Sequence, residues 1–350
     1  MVSAGRPWTY AASGVDVDVR SKALSALLAG VRYRAPPDHG RVVSAPGHFA
    51  GLLRIGRETV AVTTDTVGTK VLLAERLGRW EEVGEDIVGV NVNDLAAMGA
   101  RPAALVDTIL CDRPDPAVFA GIGRGVNRGI RAARCALLGG ETAVVPDLVR
   151  GIDLGGTAVG FFPRGRAPVT GARIRPGDRI LGIPSHGVHA NGFTLIRKLL
   201  EESSVDLAGA RPGGTGPVGE ELLRPTRIYT DVADALAARS EVHGLAHLSG
   251  GGVRNLVRLH PKVAFVLDTW PEPPGLFAWL QGLGRLSTEE MFQTFNMGIG
   301  FALVVSRVHL AETRRRIARA GAPDVVEIGH VERGSGVSLP ALGIRYDGYA

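Results

Sequence analysis

Thr63-Thr64-Asp65-Thr66-Val67-Gly68-Thr69-Lys70 closes an alternating run, Glu58-Thr59-Val60-Ala61-Val62-Thr63, that reads as a β-strand. A strand that carries Asp65 to its tip and then turns through Gly68 and Thr69 onto Lys70 gathers three functions. It offers an oxygen ligand for Mg²⁺, free backbone N–H groups and a phosphate-neutralising ammonium. That is nucleotide-site chemistry. The order Gly-Thr-Lys and the missing earlier glycine separate it from the Walker arrangement. The plainer reading is a strand, a turn and a solvated lysine, and eight residues alone leave both open.

Upstream, Val19 to Val31 places Ala23, Leu24, Leu27, Leu28 and Val31 at helical spacing, with Asp16 and Asp18 near its start as capping carboxylates. Residues 35 to 53 are rich in Pro, Gly and His and read as a mobile loop over a site. Downstream, Glu85 to Gly99 reads as a helix apolar nearly all round, hence buried, with Pro102 beyond its end. Asn91, Asn93 and Asp94 interrupt it. A buried carboxylate costs several kcal/mol unless it is paired, hydrogen-bonded or on a metal. Asn91 and Asp94 share a face, so a cation or nucleotide site stands beside an internal hydrogen-bond network as the explanation. Ala103 to Cys111 reads as a strand containing Asp107, and Pro116 to Cys135 as an amphipathic helix. Gly139 and Gly140 then form a turn that brings out Glu141.

A polar, punctuated segment, Pro163-Arg-Gly-Arg-Ala-Pro168, marks a boundary near residue 170, giving domains 1–170 and 171–350. In the second half a strand at Asp178–Pro184 leads into a loop holding His186, His189 and Asn191 ahead of a helix, Phe193 to Glu202. A helix N-terminus with such a loop suits an anion. No third ligand at a usual interval supports zinc. His189 reads as a general acid/base, a phosphate contact or a satisfied structural histidine. Arg224 to Tyr229 reads as the start of a helix. His243 to Arg254 reads as strand, triple glycine (Gly250, Gly251, Gly252) and helix, which is a second phosphate cradle or a tight turn. Both halves are mixed α/β.

The chain has 350 residues, more than one core usually serves, so two domains are expected. Its 48 glycines are about twice the usual ~7%, which points to tight turns and close ligand approach. The net charge is +5 from scattered residues, and no basic run carries interleaved aromatics, so an anionic small molecule is expected rather than nucleic acid. Two cysteines, Cys111 and Cys135, follow no metal or disulfide spacing and suit a reducing cytoplasm. No apolar run reaches the ~18 residues of a membrane helix, so a soluble protein is expected.

Taken in order, TTDTVGTK, VNVNDLAAMGARP, LLGGETA, SHGVHANGFTLIRKLL, RPTRIY, AHLSGGGVRNL and EMFQTFNMGIG resemble the phosphoribosylformylglycinamidine cyclo-ligases, or aminoimidazole ribonucleotide synthetases, of purine biosynthesis. The resemblance runs from about Tyr10 to about residue 332. It implies a two-domain α/β fold whose N-terminal domain forms a β-barrel across a homodimer, a C-terminal α/β domain, and ATP bound near the dimer interface. It also implies ATP-dependent ring closure of formylglycinamidine ribonucleotide, with Mg²⁺ and in many members K⁺. Carried over, Asp65 and Asp94 hold Mg²⁺ and the ATP phosphates with Lys70 neutralising them, and Gly68, Thr69, Asn93, Gly139 and Gly140 line the nucleotide. Asp94, Glu141 and His189 serve the chemistry, Glu141 as metal ligand or proton acceptor and His189 as proton donor or phosphate contact. Asn191 and Gly250 to Gly252 orient the substrate's ribose phosphate.

The chain departs from the family at Thr66, where glycine is usual, in the thinned segment Ser44 to Gly51, and at Val144 to Val149. These departures leave room for a paralogue that activates a different amide. Related enzymes fit less well. A selenophosphate synthetase wants a cysteine in residues 35 to 53, which hold none, and a thiamine monophosphate kinase wants Gly-Gly-Asp at 139 to 141. A non-catalytic nucleotide-binding subunit would not need Asp65, Asp94, Glu141 and His189 together.

Overall fold

The computed structural model describes residues 8–15, 17–33, 35–43 and 47–349. Asp16 and residues 44 to 46 of the thinned segment lie outside them. After helix α1 (Val17–Gly30) the first half builds a six-stranded sheet from β1 (Arg41–Val42), β2 (Gly51–Ile55), β3 (Glu58–Thr66), β4 (Arg101–Cys111), β5 (Ala136–Val144) and β6 (Ile152–Phe161). Its order is β1-β2-β3-β6-β4-β5, and every neighbour is antiparallel except β4 with β5. A parallel pair needs a long crossover, and helix α4 (Pro116–Ala133) supplies it, capped by Asp115 on the Ala117 amide.

The alternation of β3 is realised: Ala61 and Thr63 are buried on one face, while Val62 and Thr64 are exposed on the other. The buried face lies against α3 (Trp80–Ala97), preceded by a short helix α2 (Lys70–Leu77). Helix α3 begins five residues earlier than its apolar run indicated, with Glu81 and Glu82 in its first turn where the dipole favours them. It packs on α4 at backbone contact. A Cβ on Gly125 would sit 1.9 Å from the Glu81 carbonyl oxygen, and one on Gly84 2.2 Å from that of Ile122.

The second half forms a seven-stranded sheet of β7 (Arg179–Pro184), β8 (Val242–His247), β9 (Val263–Val266), β10 (Ile299–Val305), β11 (Val326–Arg333), β12 (Val337–Leu339) and β13 (Ile344–Tyr346). Its order is β13-β12-β9-β11-β7-β10-β8. Helix α5 (Phe193–Glu202) follows β7. The edge strand β8 and its neighbour β10 are buried along their whole length.

Three local expectations are corrected. Gly139 and Gly140 do not turn; they lie inside β5, because the carboxylate of Asp107 on β4 fills the space where a Gly140 Cβ would be, 2.4 Å away. Arg224 to Tyr229 is irregular and the next helix starts at Thr230. The helix after the triple glycine is a 3₁₀ segment, Gly252–Arg258.

Candidate functional site

Helix α3 touches both halves of the chain, and its polar side chains divide the work. Asp86, fully buried, accepts from the Thr226 amide (2.8 Å) and hydroxyl (2.6 Å) and pairs with Lys70 Nζ at 2.6 Å. Lys70 Nζ also donates to the Arg224 carbonyl at 2.8 Å and lies 5.5 Å from the Phe193 ring centre. Burial pulls its pKa down while Asp86 pushes it back up. The ammonium expected to face phosphate is therefore turned inward and committed. Asn93, equally buried, donates to the Arg227 carbonyl (2.8 Å) and accepts from the Tyr229 amide (2.9 Å). Its amide is spent on the chain and leaves the nucleotide set. Together these bonds capture the backbone of 224 to 229, which is why that segment cannot close helical hydrogen bonds of its own.

His189 is buried, in the left-handed region at φ 60°. Its Nε2 accepts from the amides of His186 (3.2 Å) and Arg227 (3.4 Å). Two incoming N–H groups require a lone pair there, so the ring is neutral with its proton on Nδ1. Burial first, then the nearby His247, hold its pKa well below 6.5. Gly300 makes the space, since a Cβ there would meet Tyr229 Oη at 2.1 Å and His189 Cε1 at 2.6 Å. The expected proton donor is thus a neutral buried acceptor that holds the 186 and 227 backbones.

Further polar side chains line the boundary between the two sheets. His247, at the end of β8, donates from Nδ1 to Asp94 Oδ1 at 2.9 Å, and its Nε2 is buried with no partner among the described residues. One turn before Asp94, Asn91 donates to the carbonyls of Ile87 (2.9 Å) and Asp65 (3.5 Å), and its Oδ1 is likewise without a partner. Asp65 Oδ1 accepts from the Thr66 amide at 2.8 Å, and Gly68 turns the chain at φ 67°. Thr69 meets Thr194 of α5, oxygen to oxygen, at 3.0 Å. Asn191 lies against the glycine turn, its Oδ1 2.9 Å from where a Gly250 Cβ would be.

The turn has a cover that the sequence did not announce. Tyr349 Oη donates to the Gly250 carbonyl at 3.1 Å, and its ring is 3.0 Å from a Cβ position on Gly251, which has φ 125°. Arg258 stacks 4.3 Å from the Phe49 ring centre and donates to the carbonyls of Gly47 and His48, both at 2.7 Å. Residues 47 to 49 of the expected mobile loop are thereby pinned to the second half, while Arg41–Val42 and Gly51–Leu53 of the same stretch pair as strands in the first sheet. Among the described residues no three His, Cys, Asp or Glu side chains gather as a metal site.

Glu141 stands apart. Asp65 faces Gly156, which faces Asp107, which faces Gly140; Thr66, Gly155, Thr108 and Glu141 make the next row. Adjacent rows project from opposite faces of a sheet. Asp65 shares the face of α3, and Glu141 lies on the bare one.

Of the residues named from sequence, Asp65, Asn91 and Asp94 meet at one wall and Asn191 meets Gly250. Lys70, Asn93 and His189 are structural in this arrangement, and Glu141 is on another surface. His247 was missed. The available signal was a histidine ending a buried strand directly before the glycines.

Two family models cover most of the chain: AIR synthase related protein, N-terminal domain, over residues 47–162, and the corresponding C-terminal domain over 175–341. A phosphoribosylformylglycinamidine cyclo-ligase of Methanothermobacter thermautotrophicus is 41% identical over 336 residues, 95% of this chain and 97% of that protein. The enzyme of that name from Methanosarcina acetivorans is 40% identical over 322 residues, 92% and 96%. Among solved structures, a Thermus thermophilus protein superposes with a TM-score of 0.64 at 22% identity, covering 95% of this chain and 99% of that one. A thiamine-monophosphate kinase from Stenotrophomonas maltophilia reaches 0.62, also at 22%, covering 95% and 96%. At that identity they establish the shared fold. With both domain models matched and relatives near 40% identity along almost its whole length, the chain belongs to the AIR synthase related family.

Proposed function

We propose that this chain converts formylglycinamidine ribonucleotide and ATP to aminoimidazole ribonucleotide, ADP and phosphate at the boundary between its two sheets. One observation carries the reading. A polar wall of Asp65, Asn91, Asp94 and His247, with the Gly250 turn, against which Asn191 lies, following three residues after His247, sits in a chain that matches named cyclo-ligases nearly end to end.

A formamide carbon is a poor electrophile, and its oxygen a poor leaving group. Transfer of the ATP γ-phosphoryl to that oxygen makes it one. The amidine nitrogen of the same molecule then bonds to the carbon, the C–O bond breaks, and the oxygen leaves with phosphate. Such a step needs charge neutralisation, alignment and exclusion of water rather than covalent help from the protein.

Mg²⁺ fits the donors present. It accepts one or two carboxylates and completes its shell with water and phosphate oxygens. Asp65, Asp94 and the partnerless Asn91 Oδ1 are hard oxygens on one wall. When bound, the ion supplies positive charge to the triphosphate. His247 fixes the Asp94 carboxylate through Nδ1–H, the arrangement by which a ligand's neighbour sets its orientation. Asn191 and the glycine turn receive the anionic ribose phosphate through backbone N–H groups. The buried Lys70–Asp86 pair, Asn93 and His189 hold the 224–229 segment and with it the relation of the two halves.

A second copy of the chain completes the molecule in this reading. Leu24, Leu27 and Leu28 of α1 are exposed, as are Leu137, Leu138 and Val144 of β5 and Phe161 of β6. An open sheet face with a free apolar edge strand is not stable alone in water.

The test is a product assay on the purified protein. Equimolar ADP and cyclised ribonucleotide, identified by mass, are expected from formylglycinamidine ribonucleotide. ADP release with no cyclised product would favour the paralogue acting on another amide, and no ADP from any amide would remove the activity.

A further inference from the structure

We propose that a basic cavity at the joint between the two halves binds the phosphate group of a small sugar phosphate, and that this site is separate from the boundary wall described above. Nothing in the argument depends on the reaction proposed there.

The cavity has a volume of about 400 Å³, within the range of small-molecule sites. Every titratable side chain that lines it is basic. Arg166 and Arg173 come from the segment between the two matched domains, Arg239 from the turn after the helix Thr230–Leu236, and His243 from the start of β8. Among the described residues no Asp or Glu lines it. His247, which serves the boundary wall, ends the same strand, roughly 13 Å further on at the usual rise per residue.

Arg166 carries the inference furthest. Its side chain is only 8% exposed and donates to Asp234 Oδ1 (2.6 Å) and to the Asp234 carbonyl (3.1 Å), yet its Nε is buried with no partner among the described residues. A buried donor left unmet is costly, and more so on a charged group. Asp234 does not cancel the local charge, because its carboxylate also takes two bonds from Arg101, at 2.6 and 3.0 Å. Arg173 spends one N–H group on the Val242 carbonyl at 2.8 Å, and the Arg239 side chain is exposed with no partner among the described residues. Three guanidiniums therefore keep N–H groups for a ligand, and their planar forks match the oxygens of a phosphate.

His243 and Ser240 narrow the class. The Nδ1 of His243 lies 2.7 Å from the buried Asp178 carboxylate, and a ring whose proton sits on Nδ1 keeps a lone pair at Nε2 for a ligand hydroxyl. Ser240 adds a second hydroxyl partner. No Phe, Tyr or Trp lines the cavity to stack on a base, so a hydroxylated phosphate ester fits it better than a nucleobase does. The walls are preformed. Gly171, at φ 80°, packs so closely that a Cβ would lie 2.1 Å from the Leu259 carbonyl oxygen, and the Val169 amide donates to the Met98 carbonyl at 2.9 Å.

The experiment is hydrogen exchange of the full chain, read by mass spectrometry, with ribose 5-phosphate as probe and ribose as the control that lacks the phosphate. Slowed exchange in residues 165–173 and 237–243 is expected with ribose 5-phosphate and not with ribose. Arg239→Glu, at an exposed position that gives up no side-chain contact, should raise the concentration for half protection at least about tenfold, and Arg239→Ala by less. Arg54→Glu makes the same charge change on β2 and should leave that concentration unaltered. Binding at the Gly250 turn registers separately, in residues 248–254. The proposal is overturned by protection confined to that turn, by no protection, by equal protection with ribose, or by an Arg239→Glu variant that matches the wild type. It is equally overturned if Arg54→Glu weakens binding as much as Arg239→Glu, since overall charge rather than the cavity would then hold the ligand.

Discussion

His247 Nδ1 donates to Asp94 Oδ1 across 2.9 Å, joining residues 153 apart in sequence and the two sheets of the molecule. The carboxylate side chain keeps 14% of its surface exposed while the imidazole is buried. One carboxylate oxygen is thereby fixed and the other faces the boundary. Asp94→Ala is expected to lower kcat/KM by at least about 100-fold, the scale of losing one aligned charged group in a water-poor site. The circular dichroism spectrum should not change. Near-normal ADP release from this variant would remove Asp94 from the machinery.

Lys70 gives the opposite expectation. Its ion pair with Asp86 is completely buried, so Lys70→Met strands a charge and should cost about 3–5 kcal/mol in urea unfolding. Replacing both partners, Lys70→Met with Asp86→Leu, should recover part of that loss. A phosphate-binding lysine would instead raise the KM for ATP and leave the unfolding midpoint alone.

Acid should weaken the fold through His189. Its folded pKa lies well below 6.5 because burial opposes the imidazolium, and burial also lowers those of His48 and His186. Below pH 6.5 the unfolded chain takes up protons that the folded chain refuses, so stability is full above that pH and falls as pH drops. His189→Asn, a residue that tolerates the left-handed region, should reduce the stability difference between pH 7.5 and 5.5 by about 1 kcal/mol. An unchanged difference would contradict a neutral His189.

Gly140 tests the row assignment. A methyl group there would lie 2.4 Å from both the Asp107 carbonyl and its carboxylate. Gly140→Ala should destabilise by about 1–3 kcal/mol, the usual range for overpacking, and a combined Asp107→Gly change should relieve part of it. Gly139, with nothing within 4 Å of its Cβ position but a φ of 133°, should be strained rather than crowded.

How much of this was legible beforehand depends on range. The alternation of β3 and the apolar run of α3 are local patterns, and both elements stand where the period places them, with α3 longer at its start. Asn91 and Asp94 share a face because three residues is nearly one helical turn. The fates of Lys70 and Asn93 were not legible. Their partners, Asp86 with Arg224 and Arg227 with Tyr229, include groups more than 130 residues away, and a short motif cannot say whether a lysine turns toward phosphate or core. The face on which Glu141 stands was hidden for a different reason. Reading Gly139-Gly140 as a turn missed that glycine also serves a strand where a neighbour's carboxylate needs the room. Tyr349 and Arg258 carry no pattern at all, since their roles exist only once the glycine turn and residues 47 to 49 are brought beside them.

The most direct test of the account follows one oxygen atom. With formylglycinamidine ribonucleotide labelled with ¹⁸O at the formyl position, phosphorylation and expulsion of that oxygen predict that the label appears in the inorganic phosphate, one atom per ring closed, read by mass spectrometry. Label recovered in water, with unlabelled phosphate, would contradict it.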